Sequence, residues 1–276
     1  MLRMLVGAAV LAASTGCALA PLALHEAPPA DTRRFTEHVI LHGTALDLHL
    51  AVPAAPVSDT IVLYATGDGG WFGTAVDIFH ALAAHGYRTA GFSARAFLRI
   101  ERPRHAPLSP RQLADDYATI LAAARAALGV PPATPAILTG WSRGAAFAAI
   151  AASQPALRAG TRGVVAIGLA DDEDLAIGDD DNDDGPGDDS ADAPSLLLAR
   201  PLRPYAQLHL LAPLRCAVIQ ADHDDYLPAD EARTLFGPET AARRLYAVAA
   251  RNHRFSGGRD AFAAALTSAL RWVDQT

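Results

Sequence analysis

The sequence predicts an α/β fold: a mostly parallel sheet with helices on both faces, folded as a single domain. Two observations carry that expectation. From residue 60 onward, short apolar runs of strand length alternate with longer runs of helical pattern, the signature of parallel strands joined by crossover helices. The chain has 276 residues and is 51% hydrophobic, which suits one domain with a large core.

Residues 1–20 read as an export signal, with Arg3, an apolar run over 5–13 and then small residues, too short for a permanent membrane span. Two processing sites compete. Ala18-Leu19-Ala20 fits ordinary cleavage, but Pro21 follows it directly. Ala13-Ser14-Thr15-Gly16-Cys17 fits a lipobox, in which Cys17 becomes the lipid-bearing first residue, and this reading is preferred. Residues 21–33, rich in Pro and Ala, then form a tether, and the domain occupies 34–276. The expected location is the periplasm or cell envelope, with Cys17 as the anchor.

Residues 34–41 and 46–52 alternate as two strands around a turn at His42-Gly43, with His38, His42 and His49 read as solvated. A buried strand over 60–65 runs into Gly67-Asp68-Gly69-Gly70-Trp71 and a helix reaching about His85. No Gly-Lys-Ser/Thr follows these glycines, so a phosphate-binding P-loop is excluded. A strand over 87–92 leads to a loop from Ser93 to Ser109 carrying Arg95, Arg99, Arg102 and Arg104. Arginine pairs bidentately with phosphate, so this loop is either an anion site or a solvated connector. A helix over 110–128, capped by Ser109, comes next. Ala136-Ile137-Leu138 then opens a strand that meets Gly140-Trp141-Ser142-Arg143-Gly144 and an Ala-rich helical run to Ser153. Strand, tight turn and helix around G-x-S-x-G is the context of a nucleophile elbow; the rival reading of Ser142 is an ordinary helix cap. Strands over 163–169, 214–220 and 243–249 and helices over 228–236 and 258–273 complete the pattern.

A serine nucleophile needs a base, and the base needs an orienting carboxylate. On an α/β-hydrolase the chain order is Ser, acid, His. Among the histidines after Ser142, only His253 follows the last strand. Asp222, Asp224 and Asp225 all follow the preceding strand, and the spacing Asp-x-x-Leu-Pro selects Asp224. Its neighbours are expected to face solvent or to support the site. Backbone N–H groups of Asp68 or Gly69, together with that of Arg143, are the candidate oxyanion donors. Trp71, Arg95 and Arg99 are the candidate substrate contacts.

All 23 basic residues are arginine, so lysine Schiff-base or lysine general-base chemistry is excluded. Twelve of the 30 acidic residues lie between Asp171 and Asp192 with no base among them; the rest of the chain is mildly basic. That acidic stretch, 171–194, is expected to be an unstructured insert. Within it Asp180, Asn182, Asp184 and Asp188 resemble the start of a calcium loop, but Ala191 stands where the closing Glu belongs, and no metal or cofactor is expected. No basic stripe with stacking aromatics occurs, which argues against nucleic acid. The two cysteines make no disulfide framework, and Cys216 reads as a small core residue.

The Gly67–Trp71 loop and Gly140-Trp141-Ser142-Arg143-Gly144-Ala145 resemble the bacterial VirJ/AcvB virulence-protein family, and Ser93-Ala94-Arg95-Ala96-Phe97-Leu98 is similar to that family's Ser-Leu-Arg-Tyr-Phe-Trp segment. The resemblance spans roughly residues 58–275. It implies an exported α/β-hydrolase with Ser142, Asp224 and His253 as its triad, and for some members hydrolysis of aminoacyl esters of phosphatidylglycerol. The partner so implied is a phospholipid substrate at the membrane surface. The rival functions are a general esterase or lipase, and a non-catalytic envelope binding protein on a hydrolase scaffold.

Overall fold

A computed structural model describes residues 31–100, 108–173 and 202–275. The signal region, Cys17, most of the tether, Arg102, Arg104 and the calcium-like pattern lie outside the described residues.

Strands β1 (Arg33–Leu41) and β2 (Thr44–Val52) form an antiparallel hairpin, and β2 pairs antiparallel with β4 (Arg88–Phe92). Strands β3 (Ile61–Ala65), β5 (Ala136–Trp141), β6 (Thr161–Ile167), β7 (Arg215–Ala221) and β8 (Arg243–Val248) continue the sheet in parallel. The order of the eight strands is β1-β2-β4-β3-β5-β6-β7-β8. The mostly parallel sheet expected from the alternation is therefore present, with the hairpin as its antiparallel margin. The hairpin turn places His42 and Gly43 at positive φ, which suits a two-residue connection.

Alternation sorts the strand side chains into two cores. Ile61, Leu63 and Ala65 of β3 face one side with Leu138 and Val218. Val62 and Tyr64 face the other with Ile137 and Ile219. The first side is covered by α3 (Pro110–Ala127) and α4 (Arg143–Ser153), the second by α1 (Thr74–Ala84) and α8 (Arg259–Asp274). Helix α3 starts as its sequence foretold: Ser109 and Gln112 form a reciprocal capping box ahead of Pro110.

Several expectations need correction. Strand β1 begins at Arg33, the last residue assigned to the tether. The arginine loop contains a short helix, α2 (Ala94–Leu98), capped by the Ser93 hydroxyl; Phe97 drives it, buried against Phe92 and Tyr117. Three further short pieces escaped the pattern, α5 (Pro155–Arg158), α6 (Pro204–Gln207) and the 3-10 turn Leu208–Leu211. Helix α7 (Ala229–Phe236) lies close to its expected place. Of the three early histidines His38 and His42 stay exposed, His38 beside exposed Asp47. His42 bonds to the buried Asp116 on α3 at 2.7 Å, and His49 is half-buried under Trp71, a desolvation that lowers its pKa despite Asp47 nearby. Among the described residues no helix is long and apolar enough to cross a membrane.

The order of connection reverses at β3: the chain goes outward to β4, then returns to β5 on the other side. A crevice opens at such a reversal, at the carboxyl ends of the strands. The Gly67–Gly70 loop and the turn at Ser142 flank it.

Candidate active site

Ser142 joins β5 to α4 with φ 57° and ψ −125°, a conformation that costs a non-glycine residue roughly 1–3 kcal/mol. Its surroundings hold it there. The Ser142 N–H donates to the Ile167 carbonyl at 2.9 Å, and the Ser142 carbonyl accepts from Ala145 N–H at 2.8 Å. A Cβ at Gly140 would overlap the Gly144 carbonyl, and one at Gly144 would overlap the Ala65 carbonyl, so both glycines are required for the turn to pack against β3. The Ser142 side chain makes no capping bond and the residue is partly exposed. Its hydroxyl is not used to close the helix, which removes the reason for reading Ser142 as an ordinary cap.

Asp224 and His253 meet beyond the ends of β7 and β8. His253 Nδ1 lies 2.8 Å from Asp224 Oδ2, and the residues are 6% and 3% exposed respectively. The Asp224 carboxylate also accepts from the Tyr226 N–H at 3.0 Å, the Leu227 N–H at 3.3 Å and the Gln220 amide at 3.1 Å. An ionised carboxylate only accepts, so Nδ1 donates to it, and in the neutral ring Nε2 is then the nitrogen that keeps a lone pair. Nε2 is buried and makes no hydrogen bond. The neighbouring Asp222 and Asp225 are both exposed, and Asp225 accepts from the His253 backbone N–H at 3.4 Å.

The imidazole is held beside the serine turn. Trp141, the residue before Ser142, stacks on it at 5.3 Å and donates its indole N–H to the His253 carbonyl at 3.2 Å. Tyr226, 73% exposed, meets the imidazole in a T-shaped arrangement at 4.8 Å. Below, Gly168 at φ 58° leaves room for the ring: a Cβ there would sit 2.7 Å from His253 Cε1. Since Ile167 holds the Ser142 N–H, the strand end that positions the serine also makes space for the histidine.

The Gly67–Gly70 loop leans on the turn, a Cβ at Gly67 meeting Ser142 Cβ at 3.0 Å. A bond from Gly70 N–H to the Gly67 carbonyl at 3.1 Å closes a tight turn with Asp68 and Gly69 exposed at its tip. Arg143 is the first residue of α4, so its N–H has no acceptor within the helix. Its side chain has a role of its own: Arg143 Nε lies 2.7 Å from Asp68 Oδ1 and 2.7 Å from Glu173 Oε1. This corrects the start of the acidic insert. Glu173 is ordered and buried, bridged in both directions to Leu202 at 2.8 Å, because it has a cation to meet.

Arg95 and Arg99 line a cavity of about 290 Å³ with Thr44 and Ser93 at the carboxyl end of β4. Arg95 adjoins the loop, its Cβ 4.0 Å from the position of a Cβ on Gly70. Trp71 does not join them. It stacks on His49 at 3.9 Å and meets Phe79 and Tyr64 edge-on, so it packs on the sheet. The exposed aromatic beside the loop is Phe72, 67% exposed with its ring over Gly69. Gln220 carried no sequence signal, yet this buried amide binds Asp224, the Leu227 carbonyl and the Leu169 N–H together. Among the described residues no group of three or more His, Cys, Asp or Glu could hold a metal ion. Cys216 is buried, and desolvation pushes its thiol up to about 12.

Residues 59–193 match the family model described as bacterial virulence protein (VirJ); the match includes the Gly67–Trp71 loop and Ser142 and ends before Asp224 and His253. No curated protein matches the chain in sequence. Among solved structures, the esterase domain of a Rhodothermus marinus protein is 20% identical, with a TM-score of 0.53 over 87% of this chain and 98% of that one. A dienelactone hydrolase from Anabaena variabilis is 18% identical, with a TM-score of 0.53 over 87% and 98%. An alpha-beta serine hydrolase homologue from Coxiella burnetii is 14% identical, with a TM-score of 0.56 over 85% and 96%. At such identities the likeness is one of fold. Residues 59–193 thus resemble the bacterial virulence protein (VirJ) family, and the chain has the α/β-hydrolase fold.

Proposed function

We propose that the chain is a serine carboxylester hydrolase with Ser142 as nucleophile, His253 as base and Asp224 as the orienting acid. The observation that carries this reading is the buried 2.8 Å Asp224–His253 pair, whose Nε2 has no partner and whose ring stacks on Trp141, the residue before a strained, uncapped serine. His253 Nε2 takes the Ser142 proton as Oγ attacks the ester carbonyl. The N–H of Arg143 and that of Asp68 or Gly69 receive the oxyanion. Imidazolium forms against Asp224 and protonates the leaving alkoxide; the neutral imidazole then activates the water that frees the enzyme. A non-catalytic binder has no need to hold a serine in such a backbone conformation.

For the substrate we propose the aminoacyl ester of an aminoacylated phosphatidylglycerol, cleaved in the cell envelope by a chain anchored through Cys17. The VirJ match supports this choice, as do Arg95 and Arg99, two cations able to pair with a headgroup phosphate beside the loop. The test incubates purified protein with vesicles of aminoacylated phosphatidylglycerol and with a neutral chromogenic ester. Release of free amino acid with accumulation of phosphatidylglycerol supports the lipid substrate; turnover of the soluble ester alone leaves a general esterase. Mass spectrometry of the mature N-terminus tests the anchor: a diacylated Cys17 supports it, and an unmodified chain starting at or beyond Pro21 opposes it.

A further inference from the structure

We infer that the Arg143 side chain is a positioning residue, fixing the oxyanion loop by clamping Asp68 while Glu173 holds the clamp. The inference rests on the serine-hydrolase reading for its consequence in catalysis. The contact itself is geometric. Arg143 Nε stands 2.7 Å from a carboxylate oxygen of each partner, and the three residues come from three separate connections, after β3, β5 and β6.

Burial divides the work between the two carboxylates. Glu173 has a side-chain exposure of 7% and Arg143 of 16%, so their charge-assisted bond is shielded from water. Glu173 is itself pinned by its backbone bridge to Leu202. That half is the fixed end. Asp68 has a side-chain exposure of 56% and sits at the tip of a loop containing Gly67, Gly69 and Gly70. A surface ion pair contributes little to global stability. A glycine-rich turn has much backbone freedom to lose, however, and one tethered carboxylate limits where the Asp68 and Gly69 N–H groups can point. Oxyanion donors act only when aimed in advance, because reorienting them during the reaction forfeits their effect. Arg143 therefore has two roles. Its N–H is one candidate donor, and its side chain orients the loop that offers the other.

The test compares wild type with Arg143→Met, and with Arg143→Lys as a variant that keeps the charge. Backbone ¹⁵N relaxation of Asp68 and Gly69 reports the loop directly. The expected order parameters are about 0.85 in wild type and below about 0.6 in Arg143→Met, with Arg143→Lys between them and the β5 and β7 amides unchanged. On a neutral chromogenic ester, kcat should fall roughly ten- to a hundredfold in Arg143→Met with KM within about twofold, since ground-state binding does not use the donors. Unchanged loop order in Arg143→Met overturns the inference. Loosening throughout the sheet also overturns it, because Arg143 would then be supporting the fold. A wild type that turns over no ester while the loop still loosens in the variant overturns the hydrolase reading and leaves the clamp standing.

Discussion

Gly168→Ala separates the geometry of the site from the stability of the fold. Gly168 lies at φ 58°, and a methyl there would stand 2.7 Å from His253 Cε1, where ordinary contact begins at 3.4 Å. The imidazole must then shift by about 0.7 Å from the place it now holds. A displacement near 1 Å at a reacting group costs on the order of a hundredfold in rate. The positive φ alone costs alanine roughly 1–2 kcal/mol, or several degrees of Tm for a domain of this size. Gly129 supplies the control: it has φ 67° and nothing within 4 Å of an added Cβ. Gly129→Ala should lose similar stability and keep its turnover. The assay is steady-state hydrolysis of a chromogenic ester, with Tm measured in parallel on both variants. Equal turnover in the two would refute the argument that Gly168 exists to seat His253.

Asp224→Asn should reduce kcat by about a thousandfold or more, because the amide no longer selects the Nδ1–H tautomer, whereas Asp225→Asn should cost only a few-fold; steady-state kinetics on both decides, and the reverse ranking would move the acid by one residue. Arg95→Ala should raise KM for an anionic ester about tenfold, the 1.4 kcal/mol of one lost charge-assisted contact, and leave a neutral ester unaffected. Equal losses on both substrates would return Arg95 to a supporting role. Cys216, buried with its thiol pushed up to about 12, should resist iodoacetamide at pH 8 until the chain unfolds; rapid alkylation of native protein, followed by mass, would contradict that placement.

The fold was legible where pattern and spacing coincide. Apolar runs over 60–65, 136–138 and 214–220 became buried parallel strands, and Gly140-x-Ser142-x-Gly144 marked a turn because only glycine allows α4 and β3 so close. Asp224 and His253 stood out by chain order, each just past a strand. What escaped depends on partners distant in sequence. Trp71 looked available for substrate, but a ring on β2, His49, offers it a stacking surface. Glu173 looked like one acid among twelve, and Arg143, brought over by the turn after β5, distinguishes it together with the bridge to Leu202. Gln220 is a lone polar residue inside a strand, and nothing in the sequence tells that its amide bridges the acid loop to Leu169. The Ser93–Ser109 segment read as a loop because α2 is one turn long, too short for periodicity to register, and is held by Phe97 packing on Phe92, Tyr117 and Phe147.

The central claim, that Ser142 is an activated nucleophile, is tested most directly by covalent labelling with a fluorophosphonate, read by peptide mass spectrometry. One adduct is expected on wild type, located on Ser142. None is expected on Ser142→Ala, and labelling should slow by on the order of a thousandfold in His253→Ala, where the base that draws off the proton is gone. Folded wild-type protein that takes up no label, or label that persists in Ser142→Ala, would contradict the claim.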